Sequence, residues 1–124
     1  MSHVEWAIYH TWLKKIWGWM ILEVSKVELK IKKFLPSIDL VLIMSVYPGF
    51  GGQKFIEHTY DKVRALKQII VDAGATTLIE IDGGVTEHNA SALVKAGADV
   101  LVAGTTVFKA ADPKAMIVTL LNAS

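Results

Sequence analysis

Asp82 is the residue whose type and setting most invite chemistry: it closes the apolar run from Thr77 to Ile81 and is followed at once by Gly83 and Gly84. A carboxylate held at the end of a buried strand can act as acid or base, with desolvation or a metal setting its pKa. The plainer reading is a helix N-cap or a salt-bridge partner. One carboxylate alone does not serve proton transfer on both faces of a carbon. Three glycine-rich segments stand beside it: Tyr47–Pro48–Gly49–Phe50–Gly51–Gly52–Gln53, Asp82–Gly83–Gly84 and Gly104–Thr105–Thr106. Glycine takes positive φ and lets backbone approach an anion closely, so that successive N–H groups face phosphate oxygens. Each segment also has a steric explanation, since a strand-to-helix turn often needs glycine with no ligand present. Three together, with no basic cluster competing for the anion, point to a phosphate held by Gly51, Gly52, Gly83, Gly84 and Gly104.

Other side chains offer less. His58 falls on a polar helical stretch and His88 in a first helical turn, where exposure rather than ligation is expected. His3 and His10 would share a face if residues around them were helical, but Glu5 is the only acid nearby and a metal is not expected there. The absence of cysteine excludes a disulfide framework, a thiolate nucleophile and a Cys-ligated zinc or iron–sulfur site. Thirteen Lys and Arg against twelve Asp and Glu leave a net charge of +1, too little for a bulk basic field, so no nucleic-acid partner is expected. No run approaches the roughly 18 uncharged apolar residues of a membrane span. The Trp-rich start of the chain could lie on a membrane surface with Lys14 and Lys15 at the headgroups, but packing or plain exposure is the expectation, with no membrane partner and a cytoplasmic location.

The elements that must position these residues follow from patterning. Residues 1–35 hold all four tryptophans (Trp6, Trp12, Trp17, Trp19) and are rich in lysine. Ile16, Met20, Val24, Val27 and Ile31 recur at helical spacing, while Val27, Leu29 and Ile31 also alternate with charged residues; helix is favoured and a short strand stays open. After residue 35 the chain turns rich in Gly, Ala and β-branched residues. Asp39 to Val46 is a nearly unbroken apolar run, suited to a strand buried on both faces of a parallel sheet. A helix through Ile56, Tyr60, Val63, Leu66, Lys67 and Ile70 should stop near Gly74. A strand at Thr77–Ile81, a helix from Thr86 to Ala96 closed by Gly97, and a strand at Val100–Ala103 follow. Asp112 as N-cap and Pro113 at the first helical position start a last helix through Met116, Ile117, Leu120 and Leu121. Strands alternating with helices imply a parallel α/β sheet, which gathers its ligands at the carboxyl ends of its strands.

Four linked pieces carry a family resemblance: VLIMSV-x-PGFGGQKF at 41–55, IEIDGGV at 79–85, AGAD-V-LVAGTTVF at 96–108, and their spacing. From Ser37 to Asn122 the chain resembles the C-terminal half of ribulose-phosphate 3-epimerase, a TIM barrel of the pentose phosphate pathway. The resemblance implies a partial (β/α)8 barrel, residues 36–124, whose strands correspond to strands 6–8, preceded by a Trp-rich helical segment at 1–35 that does not match. A complete barrel takes roughly 250 residues, and the chain has 124. The family interconverts D-ribulose 5-phosphate and D-xylulose 5-phosphate, removing the C3 proton on one face and returning a proton on the other. Two aspartates and a divalent metal (Zn, Fe, Mn or Co) serve the enediolate between these steps.

Carried over by position, the resemblance makes Asp82 both the strand-seven catalytic acid–base and a metal ligand. Gly49, Phe50, Gly51 and Gly52 become the substrate-contacting loop, Gly83, Gly84, Gly104 and Thr105 the phosphate cradle, and Met44 a residue lining the site. The strand-one serine, the strand-two His-x-Asp and the strand-three histidine have no counterpart in residues 1–35, so three of four metal ligands are missing. Tyr47 stands where the family usually carries Asn or Glu. These departures imply a truncated, chimeric or frameshifted product, or an engineered half-barrel, with little or no turnover by the isolated chain. The expected partners are a sugar phosphate or inorganic phosphate, and further copies of the chain through the open sheet. A non-catalytic phosphate-binding half-barrel and a self-associating fragment are the alternatives.

Overall fold

A computed structural model describes residues 31–47 and 54–123. The chain divides between Phe34 and Leu35 into two units. In the first, residues 31–34 are helical; the favoured helix and the alternative strand over the preceding residues, with His3, His10 and the tryptophans, lie outside the described residues.

The second unit opens on a 3-10 turn, Leu35–Ser37, and runs β1 (Leu40–Met44), α1 (Thr59–Asp72), β2 (Leu78–Asp82), α2 (Ala90–Ala96), β3 (Val100–Val102), α3 (Gly104–Phe108) and α4 (Pro113–Leu121). The three strands form one sheet in the order β1-β2-β3 with both pairings parallel. This is an open α/β sheet, consistent with part of a (β/α)8 barrel. Alternation along the strands divides their side chains. Val41, Ile43, Ile79 and Ile81 are buried on one face, and Val63, Leu66 and Ile70 of α1 with Ala90 and Leu93 of α2 complete the core. On the other face Leu40, Leu78 and Val102 are exposed, at 41%, 44% and 36%. The continuous apolar runs are therefore buried on one face only.

Several boundaries have local causes. Gly74, at φ +63, ends α1: its N–H bonds Val71 O and the Ala75 N–H bonds Ile70 O, both at 3.0 Å, which satisfies the last carbonyls of the helix. Gly97 does the same work for α2 at φ +120. Asp112 caps α4 by accepting from the Ala115 N–H at 3.1 Å, with Pro113 following, as expected. The helix expected from Thr86 starts only at Ala90. The Asn89 side chain accepts from the Thr86 N–H at 2.8 Å and donates to Gly84 O at 2.9 Å, and this local side-chain bonding holds 86–89 as a turn. Similarly, Gly104–Thr105–Thr106 is not a loop but the start of α3, whose Val107 N–H bonds Ala103 O at 3.0 Å. The strand expected to end at Ile81 extends one residue to include Asp82, which pairs with Met44 and Val102.

The two ends of the sheet are tied differently. At the amino end Thr77 Oγ1 donates to Ile38 O at 2.8 Å, and Asp99 accepts from the Ile79 N–H at 2.9 Å while holding Lys67 Nζ at 2.9 and 3.1 Å. These bonds join α1, β2 and the start of β3. The carboxyl end carries the glycine turns.

Candidate functional site

Asp82 is the last residue of β2, half-buried, and shares a register row with Met44 of β1 and Val102 of β3. Its face is the open one, with Glu80 a rung below and Leu78 below that. The sheet thus sets Asp82 and Met44 side by side at its carboxyl edge.

The turn after Asp82 explains its own glycines. Gly83 sits at φ +122 and Gly84 at φ +65, both in the region that side chains rarely enter. A Cβ on Gly83 would fall 2.7 Å from Val46 Cγ2, and one on Gly84 would fall 3.2 Å from Phe55 Cβ. These two residues would be glycine even with no ligand. Gly104 differs: it has no positive φ, and a Cβ there meets nothing within 4 Å among the described residues. It opens α3 at the end of β3, and Thr105 follows, exposed. The first-turn amides of a helix have no acceptor within it. Gly49, Phe50, Gly51 and Gly52 lie outside the described residues.

The remaining titratable groups stand apart. His58 is exposed and 3.4 Å from Asp61, and His88 is exposed and 3.4 Å from Glu87; the exposure is as expected for both. Lys62 on α1 has its ammonium pKa lowered by burial. The Tyr60 phenol, packed against Phe55 with ring centroids 5.3 Å apart, has its pKa raised by burial and then by Glu57. No helix among the described residues is long and apolar enough to cross a membrane.

Comparison with known proteins decides the ancestry. Residues 19–108 match the ribulose-phosphate 3 epimerase family. The chain belongs to this family. Among curated relatives, the chloroplastic ribulose-5-phosphate-3-epimerase of Arabidopsis thaliana is 51% identical over 82 residues, covering 66% of this chain and 29% of that protein. The ribulose-phosphate 3-epimerase of Helicobacter pylori is 45% identical over 95 residues, covering 77% of this chain and 44% of its own length. That of Aquifex aeolicus is 48% identical over 85 residues, covering 68% and 38%. The chain therefore spans less than half the length of each of these relatives. The family match begins at residue 19, inside the stretch set apart at 1–35, and ends at Phe108, before α4.

Epimerases of this family generally depend on a divalent metal, which sets a test for the residues present. Among the described residues no three His, Asp or Glu side chains stand close enough to hold a metal ion. Asp82 offers one ligand, whereas protein metal centres ordinarily draw on about three or more side chains. The described residues do not make a metal centre by themselves.

Three residues near the turn were passed over as functional candidates on sequence. Ser45, buried at 0% exposure, donates through Oγ to Gly83 O and through its N–H to Asp82 O at 2.9 Å, while its own carbonyl accepts from the Ile56 N–H at 2.8 Å. Asn89 holds Gly84 O, and Thr106 Oγ1 donates to Val85 O. Ser45 alone carried a sequence signal, a polar residue inside an apolar run; Asn89 follows Glu87 and His88, and Thr106 follows Thr105, so neither stood out.

Proposed function

We propose that residues 36–124 carry the phosphate-binding turns and one acid–base carboxylate of a D-ribulose 5-phosphate 3-epimerase site. The observation that supports this most is the placement of Asp82 on the open face at the carboxyl edge of the sheet, next to Met44 and directly before the Gly83–Gly84 turn. In this reading Asp82 takes or returns the C3 proton on one face of the sugar. The amides of Gly51, Gly52, Gly84, Gly104 and Thr105 receive the phosphate, Gly49 and Phe50 contact the sugar, and Met44 lines the site. Glu80, the other acid on this face of β2, projects from the same strand and does not serve the opposite face of the carbon. Inversion requires a second group there, so the isolated chain turns over little substrate. A coupled D-ribulose 5-phosphate assay with added Zn²⁺ or Mn²⁺ tests the assignment. Any turnover should fall by about 10²–10⁴-fold in Asp82→Asn. Robust activity that survives the substitution removes Asp82 from the mechanism.

A second reading draws on the exposed Leu40, Leu78 and Val102 and on a sheet whose edges at β1 and β3 are unpaired among the described residues. Here the chain is a fragment that self-associates through this face. Light scattering that returns the 13.6 kDa mass of one chain at all concentrations contradicts the association.

A further inference from the structure

Three consecutive carbonyls of the turn after β2 are each held by a side chain from a different part of the fold: Gly83 O by Ser45 at the end of β1, Gly84 O by Asn89 before α2, and Val85 O by Thr106 in α3. Solvent could satisfy the carbonyl of Gly84, which is exposed, so burial alone does not call for all three ties. Their shared effect is on direction. No peptide bond here is cis, and across a trans peptide the C=O of one residue and the N–H of the next point opposite ways. Ser45 draws Gly83 O toward the buried end of β1 and thereby turns the Gly84 N–H away from it. The Ser45 N–H fixes the preceding carbonyl, Asp82 O, at 2.9 Å, so one buried residue sets the peptides on both sides of Gly83. Thr106 ties the same turn to α3, whose first residues Gly104 and Thr105 are two further amide donors in the proposed cradle.

We infer that Ser45 and Thr106 are positioning residues: through the Gly83 and Val85 carbonyls they aim the Gly84 amide at the anion and hold in place the end of β2 that bears Asp82. This rests on the phosphate assignment proposed above. Neither hydroxyl touches the ligand; each acts through backbone. Because the hydroxyl is what matters, Ser45→Thr and Thr106→Ser preserve the effect, while Ser45→Ala and Thr106→Val remove it.

The test uses the full chain and inorganic phosphate. It reads phosphate affinity from amide NMR titration, and the direction of the Gly84 N–H from its residual dipolar coupling without ligand. Ser45→Ala and Thr106→Val should each weaken phosphate about fivefold, the effect of one lost hydrogen bond, and shift the Gly84 coupling. Couplings in α1 should stay unchanged, which a general loss of structure would not allow, and Ser45→Thr and Thr106→Ser should match the parent chain. If Ser45→Ala does not fold, Thr106→Val carries the same test from a less buried position. An unchanged Gly84 coupling, or a changed coupling with unaltered affinity, overturns the inference. If the parent chain fails to bind phosphate, the phosphate assignment falls, and the coupling alone decides whether the two hydroxyls orient the turn.

Discussion

Gly83 and Gly104 look alike in the sequence and answer to different forces in the structure. Gly83→Ala meets Val46 at 2.7 Å and a φ of +122, and should destabilise the chain by about 2 kcal/mol in chemical denaturation. Gly104→Ala meets neither obstacle, so stability should hold within about 0.5 kcal/mol. Phosphate affinity should nonetheless drop by about tenfold, since a methyl group blocks close approach of the anion to the backbone. Loss of stability without loss of binding at Gly104 would return that glycine to a steric role. The sequence left both explanations open for the glycines of the strand-end turns because φ and the neighbouring side chains decide between them, and neither is written locally. Lys62 gives a residue-scale prediction in pH. Burial lowers its pKa below 10.5, so between the lowered value and 10.5 the unfolded chain binds more protons and stability rises with pH. Tyr60, raised above 10.0 by burial and by Glu57, acts in the opposite sense, with stability lost as pH climbs past 10.0. Melting temperatures of Lys62→Met across the alkaline range should keep the decline and lack the rise.

Among the elements, strands and caps were the most legible parts. Asp39 to Val46 announced β1 by nearly unbroken apolarity, and Gly74, Gly97 and the Asp112–Pro113 pair marked helix ends through backbone chemistry that depends only on neighbours in the chain. Where α2 begins was not legible, because the Asn89 side chain competes with helical bonding for Gly84 and Thr86. Nor was α3, which is only five residues long and has no buried side chain to impose a period. The tie between elements at the amino end of the sheet was equally hidden, since Lys67, Ile79 and Asp99 are far apart in sequence. Asp99→Ala leaves the Ile79 amide without its 2.9 Å acceptor and Lys67 without its partner. It should cost about 1–3 kcal/mol in denaturation while leaving phosphate affinity unchanged, because the tie is at the end of the sheet remote from the glycine turns.

At the scale of the molecule, ancestry could be read from three motifs and their spacing, and the family match over residues 19–108 bears it out. The parallel three-stranded order was equally accessible, since βα alternation leaves few other topologies. The open face was harder to foresee as a pattern: Leu40, Leu78 and Val102 are as apolar as the core residues that alternate with them, so sequence periodicity could not tell covered from uncovered. That face is also where Asp82 stands, and the account turns on whether the strand-end amides around it serve one anion. Titration of the full chain with inorganic phosphate, followed by amide NMR, measures this directly. Saturable shifts confined to Gly51, Gly52, Gly84, Gly104 and Thr105, all with a single dissociation constant, are the expected result. No saturable shift, or shifts at separate sites with unrelated constants, would contradict it.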